Sequence, residues 1–264
     1  MHFTKMQGLG NDYLYIYGEV PEDAPSLSVR LSDRHFGPGS DGMIWISPSE
    51  SADFRMRIFN ADGSEARMCG NGIRCVGKYV YDKGYTDKTR LTVETLAGQR
   101  TLELYAPGGK VKTVTVDMGR ALVSPEMRLE ADGAEVLCTP VDVGNPHAVS
   151  FVEDAEAAPL YTLGPKLEKH PAFPGGVNAE FVQVREKNRL RMRVWERGSG
   201  VTLACGTGAC ASAAAAVSRG YCEAGMPIRV ELDGGVLSVE VGRQGDLRMT
   251  GPCEFVYEGD VELC

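Results

Sequence analysis

The chain lacks any apolar run near the roughly 20 residues that a membrane-spanning helix needs. Its longest such stretch, Ala209 to Val217, is short and mostly alanine. It also lacks a basic cluster. Its 28 Lys and Arg and 36 Asp and Glu are scattered and leave a net charge of −8, a poor match to nucleic acid and a good one to a solvated surface. No C-x-x-C pair occurs among its eight cysteines, and the intervals Cys69 to Cys75 and Cys205 to Cys210 fit no common zinc pattern, so no metal is expected. The opening Met1-His2-Phe3-Thr4-Lys5 shows no charged stretch leading into an apolar one. A secretory leader is therefore not expected, and free thiols in a cytoplasmic setting are.

What the chain does have is one short pattern used twice. Met68-Cys69-Gly70-Asn71-Gly72 opens one helical stretch, continuing Ile73-Arg74-Cys75-Val76-Gly77. Ala204-Cys205-Gly206-Thr207-Gly208 opens another, continuing Ala209-Cys210-Ala211-Ser212 and four alanines. A thiol at a helix N-terminus meets the positive end of the macrodipole and unbonded N–H groups. That setting favours thiolate, the form that acts as base or nucleophile. A lone cysteine in a core is most often inert, and that reading is kept for Cys75, Cys138, Cys210, Cys222, Cys253 and Cys264. Two cysteines in repeated glycine loops point instead to a reaction with two matched proton-transfer groups.

The repeat is wider than the cysteines. Arg55-Met56-Arg57-Ile58-Phe59-Asn60 reads onto Arg191-Met192-Arg193-Val194-Trp195-Glu196, with the same offset of 136 positions that separates Cys69 from Cys205. Gly10-Asn11-Asp12-Tyr13 and Gly144-Asn145-Pro146-His147 each lead into an apolar run, at an offset of 134. An offset of half the chain means two halves of like fold, not a solenoid. The 43% hydrophobic content suffices for a core in each.

Short strands outnumber helices, so an α+β fold is expected: two pseudo-symmetric halves, each a curved, mostly antiparallel sheet around one main helix, with an active site in the cleft between them. The helices fall at 70–83 and 206–218, closed by Gly84 and Gly220. The halves are drawn at 1–118, joined by a returning strand in 252–264, and 119–251.

Glycines beside each cysteine let backbone N–H groups approach an anion. Two such helix ends acting on one carboxylate would set a sulfur on either face of the neighbouring carbon, which suits inversion of a stereocentre. Asn11, Asn60, Asn145 and Asn178 sit in turns, where asparagine usually serves its own backbone. Together with Glu196 and Arg197 they would instead bind a zwitterionic head group. His147 reads either as a satisfied structural histidine or as a group that tunes a thiol.

These residues resemble the diaminopimelate epimerase family, and the likeness runs almost the length of the chain. It is carried by Lys5 to Tyr13, Asp33-Arg34 through Gly37 to Gly42, Phe59 to Glu65 into Cys69 to Cys75, Gly144 to His147, Val177-Asn178, and Glu196 to Gly200 through Cys205 to Ala209. The resemblance implies a cofactor-independent conversion of LL-diaminopimelate to the meso isomer, in lysine and peptidoglycan precursor synthesis. Cys69 and Cys205 would be the thiolate and thiol pair. Backbone groups at Gly70-Asn71 and Gly206-Thr207 would hold the reacting carboxylate. Asn60, Asn178 and Arg197 would hold the distal end, and Asn11, Asn145 and Glu196 would complete the pocket. The implied partner is a small-molecule substrate, with no nucleic acid or membrane, and the assembly a homodimer. One departure stands out: some members carry glutamine where this chain has Gly42. Two other readings stay open at this point, a proline or hydroxyproline racemase-type enzyme and a thiol redox protein.

Overall fold

The computed structural model describes residues 1–131 and 133–262. Cys264, read above as an inert thiol, lies outside them, as does the end of the segment 252–264. The chain divides into two compact units, Met1–Asp117 with the segment that begins at Gly251, and Met118–Thr250. Both are mixed α+β and dominated by sheet.

In the first unit, β1 (His2–Gly8) and β2 (Asn11–Tyr17) form an antiparallel hairpin turned by Leu9 and Gly10, both at positive φ. The other edge of β1 pairs antiparallel with the terminal strand Glu254–Asp260. A nine-residue helix, α1 (Ala24–Ser32), leads to β3 (Gly42–Ser47), which runs parallel to β2. Then come β4 (Phe54–Asn60), antiparallel to β3, and the short β5 (Glu65–Ala66). The central helix α2 (Gly70–Asp82) crosses over to β6 (Arg90–Thr95), parallel to β4. A parallel pair needs a crossover of this kind. Antiparallel β7 (Gly98–Tyr105) and β8 (Thr113–Arg120) follow.

The second unit repeats that order. After β9 (Leu122–Val123) and β10 (Met127–Ala131), β11 (Ala134–Asp142) and β12 (Pro146–Phe151) pair antiparallel. Helix α3 (Leu160–Glu168) crosses to β13 (Asn178–Glu186), parallel to β12. Antiparallel β14 (Arg189–Glu196), short β15 (Gly200–Val201) and central helix α4 (Gly206–Ser218) follow. Next are β16 (Pro227–Leu232), parallel to β14, and then antiparallel β17 (Gly235–Val241) and β18 (Asp246–Pro252).

The two central helices are buried on all sides, α2 from Gly70 to Val80 and α4 from Gly208 to Ala216. A helix apolar only on one stripe would sit at a surface; all-round burial makes it a core. Helix α4 achieves this with small side chains. Helix α2 instead carries buried Arg74 and Lys78, which donate to the carbonyls of Gly70, Pro252 and Val111. Burial of such charges is tolerable only when they are bonded in this way. Each helix ends alike: Gly84 and Gly220 adopt positive φ, and Tyr85 and Tyr221 donate back to Val80 and Ala216.

Helices α1 and α3 are additions to the one-helix-per-half expectation. Neither has a side-chain N-cap hydrogen bond; α1 carries Pro25 in its first turn, a start signal, whereas α3 has Pro165 inside it, which argues against a helix. Among the described residues no helix is long and apolar enough to cross a membrane, which says nothing of strand-built barrels.

Candidate active site

Cys69 and Cys205 are each the N-cap of a 13-residue helix. Both have extended backbone, φ −137° and −113°, and each sulfur accepts an N–H from the third helical residue, Gly72 or Gly208, at 3.3 Å. The sulfur thus takes the place that a serine or aspartate oxygen usually holds. The seven described cysteines are free thiols; Cys69 is half-buried and the other six are buried.

Around Cys69, Asn11 at the start of β2 accepts the thiol hydrogen on Oδ1 at 3.3 Å and the Asn71 amide at 3.4 Å. The orientation of the Asn11 amide is not free. Its NH2 donates to the Asp41 carboxylate at 2.7 Å, and a carboxylate can only accept. Asp41 therefore turns the carbonyl oxygen toward Cys69. Arg34 bridges Asp41 and Asp12, and Lys5 pairs with Asp12 at 2.9 Å. Burial acts to raise the Asp12 carboxyl, but hydrogen bonds from Arg34 and Lys5 outweigh it and hold it below its usual range. The Tyr13 hydroxyl lies beside Asn11 and Cys69; burial and the charge of Cys69 push that phenol well above its ordinary value.

Around Cys205, the Thr207 hydroxyl lies 3.5 Å from the sulfur and accepts from the Asn145 amide at 3.4 Å. Asn145 Oδ1 meets His147 Nε2 at 3.1 Å, and His147 Nδ1 meets Glu180 Oε1 at 2.6 Å. His147 and Glu180 are both fully buried. Glu196, at the end of β14, accepts a short hydrogen bond from Thr202 and acts electrostatically on Cys205.

The helix-end argument expects a lowered thiol in both places. At Cys205 the outcome is opposite: burial, then Glu196 and Glu180, push the thiol well above its ordinary value. The magnitudes explain this. A helix end stabilises charge by about 0.3–1 kcal/mol and at most about 2, and one pKa unit is about 1.4 kcal/mol. Full burial moves a pKa by up to about 3–5 units. Donation from Gly208 and Thr207 lowers it, but not enough.

The remaining expected residues occupy three places. Buried Gly70 and Gly206 are the first residues of their helices. Asn178 opens β13; its NH2 donates to the Pro146 carbonyl at 3.0 Å and its oxygen accepts the Arg197 N–H at 2.9 Å. The Arg197 guanidinium donates to the Gly175 carbonyl at 2.9 Å. Asn60 ends β4 with its amide on Ser64 at 3.0 Å. Hydrogen bonds thus gather Asn11, Asn71 and Cys69 in one cluster, and Asn145, His147, Thr207 and Cys205 in another. Asn60 on one side and Asn178 with Arg197 on the other are held by separate contacts.

Gly42 pairs across the sheet with Asn60 and adopts φ +154°. A Cβ there would collide with the Phe59 carbonyl oxygen and lie 2.9 Å from the Asn60 Cα. No side chain fits without backbone movement, so glutamine has no place at this position.

Sequence reasoning passed over Asp41, Tyr13, Glu168 and Glu180. Glu168 accepts from the Trp195 indole at 2.7 Å and from the Gly198 N–H at 2.9 Å, so it fixes the loop after Glu196. Glu180 did leave a signal: it is a lone acid in the apolar run Val177 to Val182, broken otherwise only by Asn178.

The family model described as diaminopimelate epimerase matches residues 3–123 and 139–256. A diaminopimelate epimerase from Acetivibrio thermocellus is 51% identical over 279 residues, covering 100% of this chain and 99% of that protein. One from Methanococcus maripaludis is 48% identical, covering 100% of both. Among solved structures, a probable proline racemase from Agrobacterium radiobacter shares the fold with a TM-score of 0.77 at 18% identity, over 100% of this chain and 93% of that one. The chain belongs to the diaminopimelate epimerase family.

Proposed function

We propose that this protein epimerises LL-diaminopimelate to the meso isomer, with Cys69 and Cys205 as the two bases. One sulfur removes the α-hydrogen as thiolate, and the other delivers a hydrogen to the opposite face as thiol. The roles exchange when the reaction runs backward. The observation that carries this reading is the duplicated N-cap: two cysteines, each with its sulfur on a glycine N–H at the mouth of a buried helix.

The α-hydrogen of an amino acid is far less acidic than a thiol, so charge developing on the carboxylate must be stabilised. Backbone N–H groups in the first turns, at Gly70-Asn71 and Gly206-Thr207, are suited to that task. One such preorganised donor is worth about 3 kcal/mol. A positioned general base adds about 10²- to 10⁴-fold. Asn60, Asn178 and Arg197 would bind the distal ammonium and carboxylate, with Asn11, Asn145 and Glu196 beside the reacting centre. No cofactor is required in this scheme, since the thiols and N–H groups supply both the proton transfer and the charge stabilisation. In the same reading the enzyme is a cytoplasmic homodimer serving lysine and peptidoglycan precursor synthesis; sedimentation of the purified protein tests the dimer.

The test of the reaction is turnover of LL-diaminopimelate in D2O without added cofactor. The expected result is one deuterium at an α-carbon of the meso product. Product without solvent hydrogen, or none at all, overturns the reading.

A further inference from the structure

We propose that Glu180 is a positioning residue for the chemistry at Cys205: it fixes the His147 ring, and through His147 and Asn145 it turns the Thr207 hydroxyl onto the Cys205 sulfur. The proposal rests on the assignment of Cys205 as one of the two bases.

The inference starts from an acid in an unexpected place. Glu180 stands in β13 opposite Val149 of β12 and is fully buried. Its carboxylate lies under the first turn of α4: a Cβ added to Gly208 would sit 2.9 Å from Glu180 Oε1 and 3.2 Å from the Cys205 sulfur. Oε1 meets His147, and Oε2 has no hydrogen-bond partner. A buried carboxylate with one oxygen unbonded is costly. It is retained where a core residue such as isoleucine would serve the fold, as the first unit shows. The first unit puts Ile44 at the matching place, opposite Tyr15, and its Cδ1 lies 2.7 Å from a Cβ built on Gly72.

The contacts then form a directed chain. His147 Nδ1 and Glu180 Oε1 share a hydrogen at 2.6 Å, which fixes the ring. Asn145 presents its oxygen to Nε2 at 3.1 Å and its NH2 to Thr207 at 3.4 Å. An amide oxygen accepts, so Nε2 carries a hydrogen. The Thr207 oxygen accepts from Asn145, which leaves its own hydrogen able to point at the Cys205 sulfur 3.5 Å away. With a neutral His147 bare at Nε2, the Asn145 amide would turn over, and Thr207 would offer Cys205 a lone pair instead. The hydrogen at His147 Nε2 and the polarity of the contact at the sulfur are therefore coupled, and Glu180 is the group that holds the ring by its other nitrogen. Glu196 from β14 and Glu180 from β13 act electrostatically on Cys205, and His147 from β12 stands against Glu180.

The test is a double-mutant cycle of Glu180→Gln and Thr207→Val, read in kcat and KM, with ring ¹⁵N spectra of His147. Each single variant should lower kcat about tenfold and leave KM within about twofold, and the double variant should lose no more than the worse single one, as for members of one chain. His147 Nε2 should carry a hydrogen in the wild type and lose it, at least in part, in Glu180→Gln. Unchanged kcat in Glu180→Gln, or losses that multiply in the double variant, would overturn the proposal. If Glu180→Gln does not fold, the wild-type spectrum decides: a ring bare at Nε2 refutes it. Turnover by Cys205→Ala would instead sink the two-base reading, and that outcome is separate from any result of the cycle.

Discussion

The two cysteine sites share a backbone and differ in what stands behind them. Helices α2 and α4 begin in the same way, 136 positions apart, and each sulfur takes the same glycine N–H. Behind Cys69 stand Tyr13 and Ile44, and the Asn11 amide is locked by Asp41 from another loop. Behind Cys205 stand His147 and Glu180, and the Asn145 amide is held by the histidine. One asparagine shows its thiol a carbonyl oxygen; the other hands on a donor through Thr207. Duplication thus supplied two copies of a scaffold, and the polar residues packed beneath made them unequal. A reaction that takes a hydrogen from one face and returns it on the other needs two bases, but it does not need them alike.

The largest effect expected from breaking this comparison is loss of either sulfur. Cys69→Ala and Cys205→Ala should each lower kcat by about 10³-fold or more, measured by the loss of circular dichroism as LL-diaminopimelate is consumed or by deuterium uptake. Similar residual rates in both would show that the sites, though unequal, are equally required.

Next are the two glycines under the sulfurs. Gly72→Ala presses on Ile44 Cδ1 at 2.7 Å, and Gly208→Ala on Glu180 Oε1 at 2.9 Å. Each should cost about 1–3 kcal/mol of stability in denaturant melts, as overpacking does. Only Gly208→Ala should also change the pH at which its cysteine is alkylated.

Asp41→Asn frees the Asn11 amide to turn over. A loss of about tenfold in kcat is expected, close to the 1.4 kcal/mol worth of one misdirected hydrogen bond. A wild-type rate would mean that the carboxylate does not set the amide.

Smaller still is the pH dependence. Burial and two carboxylates raise the Cys205 thiol, so its thiolate forms only above the ordinary thiol range. In a Cys69→Ala background, alkylation of Cys205 should be slow at pH 8 and climb through more alkaline pH; a midpoint at the ordinary value of about 8.5 would contradict this. Asp12 works in the other sense. Its folded pKa is depressed, so its contribution is present above the unfolded value of about 3.9 and is lost as pH falls through the folded one. The first unit should therefore lose stability below about pH 4, and Asp12→Asn should flatten that loss.

The duplicated helices, their caps and the strand pattern around them were readable because each rests on local rules: a turn, a glycine stop, an alternation. Helices α1 and α3 were not, because each is only nine residues long and begins without a side-chain cap bond, and Pro165 inside α3 reads against a helix. Cys69 and Cys205 were readable as a pair because the same five-residue frame recurs. The upward push on Cys205 was not, since it comes from Glu180 and Glu196, which lie near in space and far from a helix rule. Gly42 stood out in the chain as a missing side chain; only the Phe59 carbonyl beside it explains why none can stand there.

The pairing of β1 with the terminal strand has a consequence for birth on the ribosome. His2 finds its neighbour only when Asp260 has been made, whereas every strand partner within Met118–Thr250 is already available by then. The part of the chain that emerges first is the part that is finished last. A nascent chain stopped near Thr250 should hold a protease-resistant second unit and a first unit with one bare strand edge, the surface on which sheets most readily stick to their neighbours.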